Sequence, residues 1–200
     1  MLKNQIRMAT KEDAKDLLEI YAPYVTSTAI TFEYEVPTIQ EFEKRIENIL
    51  KKYPYIVAYN EAEILGYAYA SAFHERPACN WAVETSIYVK KERKKLGIGK
   101  LLYDALENIL WEQNIINVNA CIAYPEVEDE YLTKNSVEFH QHLGYHLVGT
   151  FSKCGYKFGN WYHLVWMEKH IGKHQSNPLE VKKIDEVRSI IAQKYGIFSL

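Results

Sequence analysis

The thirty residues from Trp81 to Leu110, WAVETSIYVKKERKKLGIGKLLYDALENIL, leave a chain few ways to fold. A β-rich run enters a basic turn carrying Gly97 and Gly99, and a helix follows with Leu102, Ala105, Leu106, Ile109 and Leu110 along one face. A strand that feeds such a turn into a helix start aims several unpaired backbone N–H groups, and the positive end of the helix dipole, at one point in space. Lys94, Lys95 and Lys100 place cationic side chains around that point. The two glycines let the backbone come close to what sits there. The pattern predicts a site for an anion, and a phosphorylated cofactor fits it.

The remaining elements bracket this unit. A strand at Gln5 to Met8 precedes the capping box Thr10 to Asp13, which opens a helix carrying Leu17, Leu18, Ile20 and Tyr21 and ending at or near Pro23. A second box, Thr38 to Glu41, opens a helix with Phe42, Ile46, Ile49 and Leu50, and Thr26 to Pro37 is an irregular connection of the kind that lies over a ligand. Tyr55 to Tyr59, Ile64 to Ala72 and Trp81 to Val89 read as three consecutive strands, the first two joined by an Asn60-Glu61 turn. After the glycine turn and its helix come a strand at Asn117 to Ile122, a long acidic loop from Tyr124 to Lys134, and a short helix at Ser136 to Leu143 stopped by Gly144. Strands at Tyr145 to Phe151 and Tyr162 to Met167 complete the order. It implies a mixed α/β sheet rather than repeated βα units. Residues 1–172 read as one domain, and 173–200 as a polar linker and an amphipathic helix, Glu180 to Lys194, whose stripe must bury on the body or on a partner chain.

Composition excludes several classes. A net charge of −2 and a pI near 6.4 supply no global field for nucleic acid, so the basic run is a local feature. No stretch approaches the roughly 20 apolar residues that span a bilayer, and the N-terminus lacks the apolar core of a secretory signal, so a cytoplasmic protein is expected. Cys79, Cys121 and Cys154 are odd in number and widely separated, which argues against a disulfide framework or zinc ribbon and for buried or idle thiols. His140, His142 and His146 are not accompanied by ligand-spaced cysteines or carboxylates, and no metal is expected. Sixteen tyrosines and four tryptophans are many for this length; any single one is expected to fill the core, and part of the excess suits a pocket or a subunit interface.

The strand, the Lys-Lys-Leu-Gly-Ile-Gly turn and the element order together resemble the GNAT superfamily of acetyl-CoA-dependent N-acetyltransferases. The blocks Tyr-Val-Thr-Ser-Thr-Ala (24 to 29), Arg76, WAVETSIYV (81 to 89), Phe139-His140 with Leu143-Gly144-Tyr145, and Gly155 to Trp161 resemble its phosphinothricin N-acetyltransferase subfamily. The resemblance spans about residues 6 to 170 and implies a twisted, mostly antiparallel sheet of about seven strands flanked by helices. It implies that the backbone of Ile87, Tyr88 and Val89 pairs with the pantetheine arm of acetyl-CoA. The turn from Lys94 and Lys95 through Leu96, Gly97, Ile98, Gly99 and Lys100 would cradle the pyrophosphate, with Asn135 nearby. It further implies a homodimer. A Rossmann site competes poorly, because the third glycine is missing and the turn follows antiparallel strands.

Acetylating an amine requires a base to take a proton from the ammonium and a donor for the departing thiolate. Glu84 lies in an apolar strand three residues before Ile87, where burial would raise its carboxyl toward working pH, and the subfamily uses Glu at the matching position. From the residues alone it equally suits a solvent-facing strand position or a pair with Arg76. His140 stands where the superfamily places its thiolate-protonating tyrosine and where the subfamily has His, although an isolated helical His is equally a structural residue. Phe32, Arg76 and Lys157 are candidates for holding the acceptor, the Arg76 guanidinium suiting a carboxylate or phosphinate. The reading is direct transfer, without an acetyl-enzyme, to the amine of a small amino-acid-like substrate. The alternatives are a protein or peptide acceptor and a non-catalytic acyl-CoA-binding module.

Overall fold

The computed structural model describes residues 4–93 and 96–198, so the expected cradle residues Lys94 and Lys95 lie outside the described residues. Seven strands form one sheet: β1 (Gln5–Met8), β2 (Tyr55–Tyr59), β3 (Ile64–Ala72), β4 (Ala82–Val89), β5 (Asn117–Tyr124), β6 (His146–Lys157) and β7 (Asn160–His170). Their order in space is β1-β2-β3-β4-β5-β7-β6. Every neighbouring pair is antiparallel except β4 and β5. The helices are α1 (Ala14–Ser27), α2 (Ile39–Leu50), α3 (Ile98–Glu112), α4 (Asn135–His142) and α5 (Ile184–Tyr195).

Strand periodicity sorts the sheet into two faces. Ala68, Ala70, Val83, Val118, Ala120 and Met167 point to a core shared with Leu102, Leu106, Ile109 and Leu110 of α3. Tyr55, Val57 and Tyr67 point the other way, onto Leu17, Ile20 and Tyr21 of α1 and Phe42 and Ile46 of α2. A third, smaller cluster on that second face joins Ala29, Ala123, Leu132 and Tyr162.

Several expectations shift in detail. Lys11–Asp13 forms a 3₁₀ turn before α1, and the helix runs past Pro23 to Ser27. Proline removes the N–H that would meet the carbonyl four residues back, here that of solvent-facing Glu19, while buried Tyr24 and Val25 hold the last turn in place. The box at Thr38 forms as expected: Glu41 N donates to Thr38 Oγ1 at 3.2 Å and Glu41 Oε2 accepts from Thr38 N at 2.7 Å. β6 and β7 are longer than their apolar runs suggest, because the Gly155 to Trp161 block is a hairpin tip whose Phe158 and Gly159 take φ of 50° and 79°, a pair of left-handed residues suited to tight antiparallel turns. α5 begins at Ile184 rather than Glu180, since the preceding carbonyls are used elsewhere: Asn114 Nδ2 donates to Glu180 O at 2.7 Å and Gln113 Nε2 to Lys182 O at 2.7 Å. Its stripe of Ile184, Val187 and Ile191 enters the α3 core of the same chain.

Candidate active site

The site is set by where the parallel ladder ends. β4 and β5 pair only through Ala82–Asn117, Val83–Val118 and Glu84–Asn119, and then diverge. Two side chains close the ladder reciprocally. Asn119 Nδ2 donates to the Val83 carbonyl at 3.0 Å, and Thr85 Oγ1 donates to the Asn119 carbonyl at 3.0 Å. Beyond that apex lies a narrow slot of about 60 Å³, with Thr85, Ser86, Ile87 and Tyr88 on one wall, residues 120–123 on the other, and Tyr103, Ser136 and His140 at its floor. A gap between diverging strands offers unpaired backbone to an extended amide-bearing chain, which is the chemistry of a pantetheine arm.

At the far end of β4 the chain reaches the glycine turn. Gly97 adopts φ 80°, ψ −1° and is the N-cap of α3, with no side-chain cap on the first turn. A Cβ there would meet nothing within 4 Å, so glycine is required by conformation alone. Gly99 differs from expectation. A Cβ on it would lie 2.9 Å from Phe139 Cζ and 3.7 Å from Ile87 Cδ1, so its bareness admits a ring of α4 rather than a ligand. Leu96 is exposed and Ile98 buried, which leaves their backbone as the part able to serve an anion. The basic run is also less free than its sequence suggests: Lys90 and Arg93 both pair with Glu63, and Lys100 pairs with Asp104.

Glu84 occupies the last position of β4 that pairs with β5, on the α1/α2 face, partly buried beside Tyr69 and Cys121. Burial pushes its carboxyl above the ordinary value. Among the described residues it has no hydrogen-bond or ion-pair partner, and it does not pair with Arg76, which is exposed in the β3–β4 loop outside the slot lining. Ile87 and Tyr88 line the slot, but Val89 does not, and its carbonyl accepts from Tyr24 Oη at 2.5 Å. Tyr24 was legible only as part of a motif block. Asn135 is the exposed first residue of α4, and its neighbour Ser136 reaches the slot.

His140 lies on the opposite face from Glu84 and is 3% exposed. Its Nδ1 lies 2.7 Å from the Ser136 carbonyl, which can only accept, so Nδ1 carries the proton. Nε2 is therefore the bare nitrogen and accepts from the Tyr103 hydroxyl at 2.8 Å, while burial keeps the ring neutral by lowering its pKa. Tyr103 also stands 3.2 Å from Thr85 Oγ1. Sequence reading gave no role to Tyr103, inside an apolar stripe, or to Thr85, named only within a motif block, and it took Cys121 for one of three buried or idle thiols. Cys121 lines the slot, yet burial, with the charge of Glu84 behind it, pushes its thiol up to about 12. Phe32 and Lys157 each tie the loop between α1 and α2 to the β6–β7 hairpin: Lys157 Nζ donates to Thr31 O at 2.8 Å, and the Phe32 ring lies over Gly155.

An open sheet of this order, splayed between its one parallel pair and carrying a glycine-capped helix start beside the splay, defines a GNAT-type acyltransferase. Residues 6–166 match the family model described as an acetyltransferase (GNAT) domain, and the chain belongs to that family. It is an N-acetyltransferase whose acetyl donor is acetyl-CoA. It is 32% identical over 165 residues to phosphinothricin N-acetyltransferase of Streptomyces viridochromogenes, covering 82% of this chain and 86% of that one. It is also 30% identical over 178 residues to the L-methionine sulfoximine/L-methionine sulfone acetyltransferase of Pseudomonas paraeruginosa, covering 86% and 98%. Among solved structures, the phosphinothricin acetyltransferase of Sinorhizobium meliloti in complex with acetyl-CoA superposes with a TM-score of 0.80 at 32% identity, over 88% of this chain and 94% of that one.

Proposed function

We propose that the protein acetylates the amine of a small amino-acid-like molecule, of the phosphinothricin or methionine sulfoximine type, by direct attack in a ternary complex. The observation that carries the reading is the unpartnered, partly buried carboxylate of Glu84 at the apex where β4 and β5 separate. Acetyl-CoA supplies the activated acetyl group. The chain supplies backbone along Ile87 and Tyr88 and the helix start after Gly97 to hold it. Glu84 takes the proton from the acceptor ammonium, directly or through water. On the other face the Tyr103 hydroxyl gives its proton to His140 Nε2 and lines the floor of the slot; it can protonate the leaving thiolate only by turning from His140 toward the slot, and otherwise the thiolate takes its proton from solvent. Cys121 keeps its proton at neutral pH, which favours direct transfer over an acetyl-enzyme.

Arg76, Phe32 and Lys157 are assigned to the acceptor side, Arg76 as the partner for an acceptor carboxylate once its loop closes on it. A peptide acceptor is the alternative reading: in the loop between β5 and α4, Asp129 accepts from Tyr131 N, Leu132 N and Tyr162 Oη and Glu128 from Lys134 N, which fixes the loop's own conformation, while Glu126 and Glu130 stay exposed. We assign residues 1–172 to the transferase domain and 173–200 to an appended linker and helix. We further assign the protein to the cytoplasm, in keeping with the lack of any described helix long and apolar enough to cross a membrane. A homodimer completes the reading, supported by exposed Leu147, Val148, Phe151 and Trp161 on the edge hairpin. Thiol release from acetyl-CoA over amino acids, phosphinothricin, methionine sulfoximine, polyamines and peptides tests it. Turnover with amino-acid-like amines is expected, and turnover with peptides alone would reverse the assignment.

A further inference from the structure

The loop from Thr28 to Pro37 crosses the slot on the Glu84 face. Ile30 lines the slot, and Ala29 packs with Ala123 and Tyr162 on the β5 and β7 side. On the α1/α2 side the loop is held by Thr31 Oγ1 against Tyr21 Oη at 2.9 Å and by Glu33 against Arg45 at 2.8 Å. Its other anchor is the β6–β7 hairpin. Lys157, 2% exposed, donates to the Thr31 carbonyl at 2.8 Å, and Tyr34 Oη donates to the Tyr156 carbonyl. The Phe32 ring fills the space over Gly155 so closely that a Cβ there would stand 2.1 Å from Phe32 Cε2.

A buried ammonium is costly, and a neutral backbone carbonyl offsets that cost less than a carboxylate would. What Lys157 gains structurally is a fixed point for the loop. With its amine turned to Thr31, it is not presented to a molecule entering beside Glu84. We propose that Lys157 is a positioning residue that sets, through the Thr31 carbonyl, where Ile30 and Phe32 stand over the acceptor side of the slot, and that it makes no contact with the acceptor. This rests on the assignment of that face to the acceptor and revises the role of Lys157 within it.

Two measurements test it. In the substrate-free protein, hydrogen exchange of the amides of residues 28–37 should rise in Lys157→Met while that of the α3 core stays as in the parent; unchanged exchange in the loop would overturn the proposal whether or not the acceptor has been identified. In steady-state assays with an amino acid and its decarboxylated amine, Lys157→Met should raise KM for both by about 10- to 100-fold, the range for a lost hydrogen bond to a charged group. Their ratio and the KM of acetyl-CoA should be preserved, and Lys157→Arg should recover part of the loss. If the variant instead abolishes discrimination between acid and amine, Lys157 touches the acceptor carboxylate and the proposal falls. Gly155→Ala displaces Phe32 while keeping the lysine, and should reproduce the acceptor-selective KM rise; an unchanged acceptor KM there would equally refute it. Absence of turnover with every amino-acid-like amine would sink the acceptor assignment, leaving the exchange experiment to decide the role of Lys157.

Discussion

Replacing Glu84 by glutamine separates catalysis from stability, because the two should move in opposite directions. Loss of a positioned general base lowers kcat/KM by about 10²–10⁴, or roughly 3–5 kcal/mol of transition-state stabilisation. Stability follows from the physical cause of the raised pKa. Burial alone raises the Glu84 carboxyl, with no cation or donor offsetting it, so the folded state holds the proton to higher pH than the unfolded chain does. Its favourable contribution is then complete below the unfolded value near 4.5 and is lost as pH rises through the raised folded value. Glutamine has no such loss. A tenfold change in proton affinity between the folded and unfolded chain is worth about 1.4 kcal/mol for a fully desolvated group and less for one partly exposed. Glu84→Gln should therefore melt higher than the parent at pH 8 and level with it near pH 4. With Glu84 as the proposed base, the acidic limb of the parent's kcat/KM profile should lie above the ordinary glutamate range and flatten in the variant. Thiol release and calorimetry across pH 4–9 read both effects. Undiminished turnover, or a variant that loses stability relative to the parent as pH rises, would refute the reasoning.

Three further outcomes follow from particular residues. Cys121→Ser should leave turnover near that of the parent, and intact-mass measurement of the parent mixed with acetyl-CoA alone should show no added acetyl group; an acetylated thiol would overturn direct transfer. Gly97→Ala should cost about 1–2 kcal/mol through its left-handed conformation and not through a clash, lowering Tm by about 2–8 °C, and should raise the KM of acetyl-CoA more than that of the acceptor. A chain ending at residue 183 loses Ile184, Val187 and Ile191, each at most 1% exposed, at about 1.5–3 kcal/mol of burial apiece, which is comparable to the whole stability of a domain. It should fail to show a cooperative thermal transition by circular dichroism, and a cooperative one near the parent Tm would show that α5 is dispensable.

Much of the architecture was legible because each element carries its own local signal. Thr38 with Glu41, the stripe from Leu102 to Leu110 and the stop at Gly144 are written within a few residues of where they act, and all appear in the structure. What local pattern cannot carry is pairing at a distance. Nothing near Asn160 to His170 says that β7 inserts between β5 and β6, and the hairpin tip at Phe158-Gly159 breaks the alternation that strands are recognised by. The start of α5 moved for the same reason, since the carbonyls of Glu180 and Lys182 are claimed by Asn114 and Gln113, about seventy residues upstream.

The site divides along the same line. Glu84 and the glycine turn were legible because one strand and its turn contain them, whereas the apex depends on Asn119 reaching across to the Val83 carbonyl and Thr85 reaching back to that of Asn119. A strand has a period of two, so Glu84 and Thr85 must face opposite sides of the sheet. Glu84 thereby joins the α1/α2 face, which we propose takes the acceptor, and Thr85 joins Tyr103 and His140 beneath the slot. In an acyl transfer the amine nitrogen and the thiol sulfur are separate substituents of the tetrahedral carbon, so a base for the one and a donor for the other can stand at different walls of the gap. The parallel pair that splays after Glu84 is thus the feature that sets one dipeptide, Glu84-Thr85, at the mouth of a gap with a side chain on each face of the sheet. A continuous ladder between β4 and β5 would hold the same residues in the same register and leave no place for the carbonyl.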